Sequence, residues 1–182
     1  MSDEQPEVAP VKRLTTGNRE LDEILEGGFP ENSINIIMGE PGSGKTALAE
    51  ALVFANADDE RRPVLYLTTL SEPLDKVIKY LQQFQFFDME KIGRTVLYQG
   101  LGAELAANGI GALLPKLKDA IKTLSPKVIV IDSFKAIHDL AGSLQEMRLM
   151  LHEVGGLLAA YDTTVFLVGE YQNDDIARFP EF

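Results

Sequence analysis

From Ser33 onward, short unbroken apolar runs alternate with longer stretches in which apolar residues recur every three or four positions. The unbroken runs are Ser33 to Met38, Pro63 to Thr69, Thr95 to Gln99, Lys127 to Ile131 and Thr163 to Val168. Runs of that length without polar alternation predict strands buried on both faces. Between them, Thr46 to Ala57 reads as a helix, and Leu74, Val77, Ile78, Leu81 and Phe84 fall at helical spacing. So do Ile110, Leu113, Leu114, Leu117, Ile121 and Leu124, closed by Ser125-Pro126, and then Met147, Leu151, Val154, Leu158 and Tyr161. Ser143 with Glu146 forms a capping-box pattern ahead of that last helix. A shorter helix, Arg19 to Glu26, stops at Gly27-Gly28, a C-terminal glycine signal. Alternating strands and helices predict an α/β fold with a mainly parallel sheet covered on both sides.

Some stretches carry weaker signals. Gly100 to Gly109, rich in glycine and alanine, reads as a connection. Gly155-Gly156 is costly inside a helix, and close packing on the sheet is the expected reason. Residues 1–12 read as a flexible tail and residues 13–182 as one domain. After Gly169 the chain turns polar and reaches Phe182 without a closing helix or strand, so the native protein is expected to continue.

Composition narrows the function. At 182 residues the chain is long enough for one sizeable core. No apolar run approaches the ~20 residues of a membrane span. The acidic start, Met1 to Pro10, lacks the basic and apolar regions of a signal peptide. There are no cysteines, so disulfides and thiolate metal sites are excluded, and two histidines alone do not build a zinc site. Both, His138 and His152, are expected on helix surfaces, and Met147 and Met150 in the core. A cytoplasmic location is the default expectation. The formal net charge of −11 disfavours nucleic-acid binding by phosphate neutralisation.

Against that acidic background one turn is built to attract anions. Gly39-Glu40-Pro41-Gly42-Ser43-Gly44-Lys45-Thr46 matches G-x-x-x-x-G-K-[ST] between a strand and a helix. Glycines let backbone N–H groups converge on phosphate oxygens, and the helix N-terminus, through Ala47, adds its positive end. Lys45 supplies a charge for the β/γ-phosphates, and the Thr46 hydroxyl would ligate Mg²⁺. Asp132, closing the run VIVID, would hold a water on that ion. Glu72 follows the second strand, where it either orients the attacking water or, beside Pro73, serves the dipole of the next helix. Glu170 and Tyr171 follow the last strand, where they either sense the γ-phosphate or are ordinary loop residues.

The run "LTTGNRELDEILEGGFPENSINIIMGEPGSGKT" resembles the opening of the KaiC/RadA branch of RecA-like ATPases. The carriers are Thr16-Gly17, Leu21-Asp22, Gly27-Gly28 and the Gly39–Thr46 turn. "VIVIDSFKAI" is similar to that family's Walker B strand, and "TTVFLVGEY" to the strand after it. KaiC-like ATPases are the nearest match, over about residues 13–182. The resemblance implies a RecA-like P-loop three-layer sandwich that lacks its C-terminal strands. It implies Thr163–Val168 lying between Ser33–Met38 and Lys127–Ile131. It also implies ATP and Mg²⁺ as ligands, slow hydrolysis in a signalling or clock-type ATPase, a hexameric ring and a signalling partner protein. A RadA-type recombination ATPase and a nucleotide-gated scaffold with negligible turnover are the alternatives. The family usually carries two adjacent glutamates after the second strand; here Leu70-Ser71 stand there and Glu72 follows. The family's trans-acting loop and phosphorylated Ser/Thr pair would lie beyond Phe182, so autokinase activity is not legible in this chain.

Overall fold

The computed structural model of the protein describes residues 11–69 and 73–171. In chain order the elements are β1 (Arg13–Leu14), α1 (Arg19–Ile24), β2 (Phe29–Pro30), β3 (Ile34–Gly39), α2 (Lys45–Asn56), β4 (Val64–Thr68) and α3 (Leu74–Leu81). Then come β5 (Val96–Gly100), α4 (Gly102–Asn108), α5 (Leu113–Leu124), β6 (Val128–Asp132), α6 (Phe134–Leu140), α7 (Leu144–Ala159) and β7 (Thr164–Glu170). Single 3₁₀ turns stand at Met89–Lys91 and Gly109–Ala112. Among the described residues, no helix is long and apolar enough to cross a membrane.

Among the described residues the main sheet has five strands in the order β3-β7-β6-β4-β5, and every pairing is parallel. β7 therefore lies between the strand before the glycine-rich turn and the strand ending in Asp132, the order that the resemblance implied. Successive side chains of a strand point to opposite faces, so each apolar run divides between two cores. Leu65, Leu67, Ile129, Ile131, Val165 and Leu167 join one face with Leu113, Leu117, Met147, Met150 and Val154. Val64, Tyr66, Val128, Val130, Phe166 and Val168 join the other with Leu52, Val53, Phe54 and Leu81. This is the α/β three-layer arrangement.

A small antiparallel pair, β1 with β2, closes the N-terminal segment over α2. The Asp22 carboxylate organises it, accepting from Thr16 N–H and the Thr16 hydroxyl at 2.7 Å each and from the Thr15 hydroxyl. Desolvation pushes the Asp22 carboxyl up, but these three hydrogen bonds outweigh it and hold the group below its ordinary value. Asn56 at the end of α2 donates to Thr15 O at 2.8 Å. Gly28 crosses directly over Leu14: a Cβ there would lie 2.0 Å from the Leu14 carbonyl oxygen, and its φ is +108°. The Thr-Gly, Leu-Asp and Gly-Gly pairs thus build the clasp that anchors this segment.

Four details depart from the sequence expectations. The connection Gly100 to Gly109 contains a helix, α4, whose Leu105 is buried; alanines favour a helix there and one leucine ties it to the core. Phe134–Leu140 also forms a helix, α6, too short for a clear period in the sequence. His138 lies on it and is buried, with its ring centroid 6.0 Å from that of Tyr171, rather than on a helix surface. Gly155 meets only Ile34 at an ordinary 3.9 Å and Gly156 faces open space, so close packing does not require both glycines. The Ser143–Glu146 cap is present: Glu146 N–H donates to Ser143 Oγ at 3.1 Å, and the Glu146 carboxylate accepts from Gly142 N–H.

Candidate nucleotide site

The site stands at the C-terminal ends of β3, β7, β6 and β4, where open α/β sheets place their ligands. β3 runs into the turn Gly39–Gly44, and α2 begins at Lys45. Gly42 and Gly44 hold φ of +76° and +88°, values that strain an L side chain, and a Cβ on either would meet nothing within 4 Å. Gly44 is also the N-cap of α2, and no side chain caps the helix. The N–H groups of the first turn, Lys45 to Ala47, are left for an outside acceptor, with the positive end of the helix dipole behind them. Open space above positive-φ glycines, beside an uncapped helix start, fits a polyphosphate.

Lys45 is 8% exposed, and its Nζ donates to Glu40 O at 2.7 Å and to Ser43 Oγ at 3.4 Å. The ammonium is thereby held on the inner side of the loop. Glu170, at the end of β7, brings a carboxylate oxygen to 3.9 Å from Nζ while staying largely exposed. Its neighbour Tyr171 turns the other way and is buried, its N–H donating to Gly39 O. Of that pair, Glu170 brings its side chain to Lys45, and Tyr171 meets the loop through its backbone N–H.

The Thr46 hydroxyl donates to Asp132 Oδ2 at 2.9 Å. The donor pair expected for Mg²⁺ is therefore assembled across α2 and β6. With its proton on Asp132, the Thr46 oxygen keeps its lone pairs for a cation. A hydroxyl and one carboxylate suit Mg²⁺, which keeps several waters and takes phosphate oxygens as further ligands. Glu72, with Leu70 and Ser71, lies outside the described residues.

Three residues that the sequence reading passed over complete the site. Asp132 Oδ2 also accepts from the Tyr66 hydroxyl at 2.7 Å. Tyr66 on β4 is level with Tyr98 on β5 in the strand register, and their ring centroids are 5.3 Å apart. The Tyr98 hydroxyl donates to Glu50 Oε2 at 2.7 Å. Glu50, one helical turn beyond Thr46, is 2% exposed. Burial pushes its carboxyl up to about 8; the Tyr98 hydrogen bond opposes that, and the Asp132 charge adds to it. Burial, then the Glu50 and Asp132 charges, likewise raise the Tyr66 phenol well above its ordinary value. The signal in the sequence was a repeated triplet, Val-Leu-Tyr in both VLYLT and VLYQG, together with a lone acid in the apolar run ALAEALVF. Lys45, Thr46, Glu50, Tyr66, Asp132 and Glu170 all border one cavity of about 510 Å³.

Comparison with known proteins agrees with this geometry. The family model described as "ATPase: KaiC" matches residues 14–179. A UPF0273 protein of Sulfurisphaera tokodaii is 28% identical over 142 residues, covering 70% of this chain and 50% of that protein. A UPF0273 protein of Thermotoga maritima is 30% identical, with 70% and 58% covered. The DNA repair and recombination protein RadA of Ignicoccus hospitalis is 28% identical over 181 residues, with 88% and 54% covered. The chain thus spans about half the length of these curated relatives. The crystal structure of a KaiC-like protein from Pyrococcus horikoshii OT3 superposes with a TM-score of 0.70 at 24% identity, covering 89% of this chain and 72% of that one, a likeness of fold.

Proposed function

The chain belongs to the KaiC family of P-loop ATPases, and from that premise we propose that it binds ATP at Gly39–Thr46 and hydrolyses it slowly, as a signalling ATPase working in a ring. The observation that carries this reading is the convergence of Lys45 Nζ, the Thr46–Asp132 pair and the uncapped start of α2 on one cavity.

In this reading the loop N–H groups and Lys45 hold the β- and γ-phosphates, and little covalent chemistry falls to the protein. The Thr46 hydroxyl and Asp132, the latter through a water, would hold Mg²⁺, which when bound neutralises charge on the phosphate oxygens. Lys45 exchanges its bond to Glu40 O for phosphate oxygens, so its ammonium is not left bare at any stage. A carboxylate must align the attacking water. Glu72 is the first candidate by its place after β4, and Glu170, 3.9 Å from Lys45 Nζ, is the second. Hexamer formation and a signalling partner are the expectations that come with the family.

Two other readings have specific support. The RadA relative favours a DNA-dependent recombination ATPase, although the net charge of −11 opposes a phosphate-binding surface. Leu70-Ser71, in place of a glutamate pair, favours a nucleotide-gated scaffold. Phosphate release from ATP, measured with and without single-stranded DNA, separates the three. Slow release indifferent to DNA supports the proposal, DNA-stimulated release supports the RadA reading, and tight binding without release supports the scaffold.

A further inference from the structure

Tyr66 is a polar side chain in an expensive place. It sits on β4, between β6 and β5, 3% exposed, among Val64, Val130 and Phe54 in the core beneath α2. A phenylalanine would fill the same volume without a hydroxyl to satisfy, and a buried hydroxyl without a partner is destabilising. The partner it has is the Asp132 carboxylate, and on the same oxygen that accepts from Thr46. Strand register explains the reach: Tyr66 is level with Val130, and Asp132 is two residues further along β6 on the same face.

We propose that Tyr66 is a positioning residue of the nucleotide site, fixing the rotation of the Asp132 carboxylate so that Asp132 in turn orients the Thr46 hydroxyl toward the Mg²⁺ that accompanies ATP. Asp132 closes β6, and its backbone is set by the bond from Thr69 N–H to Asp132 O at 2.8 Å. That bond leaves the carboxylate free to turn about its own side-chain torsions. Two donors on Oδ2, one from β4 and one from α2, remove that freedom. The Thr46 hydroxyl can only donate to Asp132, and so present its lone pairs to a cation, while Oδ2 stays in place. Groups that orient metal ligands in this way commonly contribute 10–100-fold in metal affinity. The ring of Tyr66 is itself held by its neighbour: Tyr98 packs beside it, the ring planes tilted by 35°, and is tied to Glu50 on α2.

This inference rests on the ATP reading of the site, and the test separates the two. Binding of a non-hydrolysable ATP analogue is measured by titration calorimetry with excess Mg²⁺ and with excess EDTA. The proteins are wild type, Tyr66→Phe and Thr163→Val. Tyr66→Phe keeps the ring and removes only the hydroxyl bound to Asp132. Thr163→Val removes an equally buried hydroxyl, bound to Pro126 O at 2.8 Å before the start of β7 and away from the site. The expected result for Tyr66→Phe is affinity about tenfold weaker in Mg²⁺ and unchanged in EDTA. Thr163→Val is expected to keep the wild-type gain on adding Mg²⁺. A purely structural role would lower the melting temperature of Tyr66→Phe and leave its Mg²⁺ gain at the wild-type value, and that result overturns the assignment. So does an equal loss in Mg²⁺ and EDTA. Wild-type protein that binds no analogue in either condition would remove the nucleotide reading itself, and Tyr66 with it.

Discussion

Glu50→Gln should reshape the dependence of stability on pH. In the fold, burial holds the Glu50 carboxyl protonated up to about 8, against an ordinary value of 4.5 in the unfolded chain. Between those two values the folded state binds the extra proton, so stability is fully present below the unfolded value and is lost as pH rises toward 8. One proton over one pH unit is worth about 1.4 kcal/mol. Going from about pH 5.5 to about pH 7.5 should therefore remove roughly 2.5 kcal/mol through this group alone. For a domain of this size that is roughly 5–10 °C in melting temperature. Glutamine has the same shape, can accept the Tyr98 hydroxyl through its carbonyl oxygen, and does not titrate. The variant should lose that part of the decline and be the more stable protein at the upper pH. Differential scanning calorimetry at several pH values reads this directly, since all other titrating groups are common to both proteins. Parallel melting profiles for wild type and Glu50→Gln would refute the reasoning, because Glu50 would then ionise alike in the folded and unfolded states.

Two further predictions concern Gly28 and Glu72. Gly28→Ala forces a Cβ into the Leu14 carbonyl at a backbone angle that favours glycine, and should cost roughly 2–3 kcal/mol, seen as a lowered urea midpoint with an unchanged slope. Glu72→Gln should reduce single-turnover hydrolysis by ~10²–10⁴-fold with ATP affinity nearly unchanged if Glu72 aligns the attacking water; a wild-type rate would leave Glu170 as the aligning carboxylate.

The parallel sheet was legible because its strands are short, apolar and unalternating, and the glycine-rich turn because its spacing is specific. The sequence puts Thr46 and Asp132 beside one Mg²⁺ ion; the direct bond between them is visible only in the fold. His138 was misplaced because α6 spans only seven residues, too few for a hydrophobic face to declare itself. The Glu50–Tyr98 and Tyr66–Asp132 bonds were missed for another reason. Each joins positions 48 and 66 residues apart, and tyrosine in an apolar strand looks like ordinary core until register puts two of them side by side. α4 was read as a connection because Gly100, Gly102 and Gly109 mask three alanines and two leucines between them that favour a helix.

The central claim is that the Gly39–Thr46 loop holds the triphosphate of ATP. Titration calorimetry of ATP with Mg²⁺ into wild type and Lys45→Ala, with circular dichroism confirming that the variant is folded, tests it most directly. Lys45 Nζ is the buried ammonium on the inner side of the loop. The account predicts saturable one-to-one binding by wild type and no measurable binding by Lys45→Ala. Equal ATP affinity in the folded variant would contradict it.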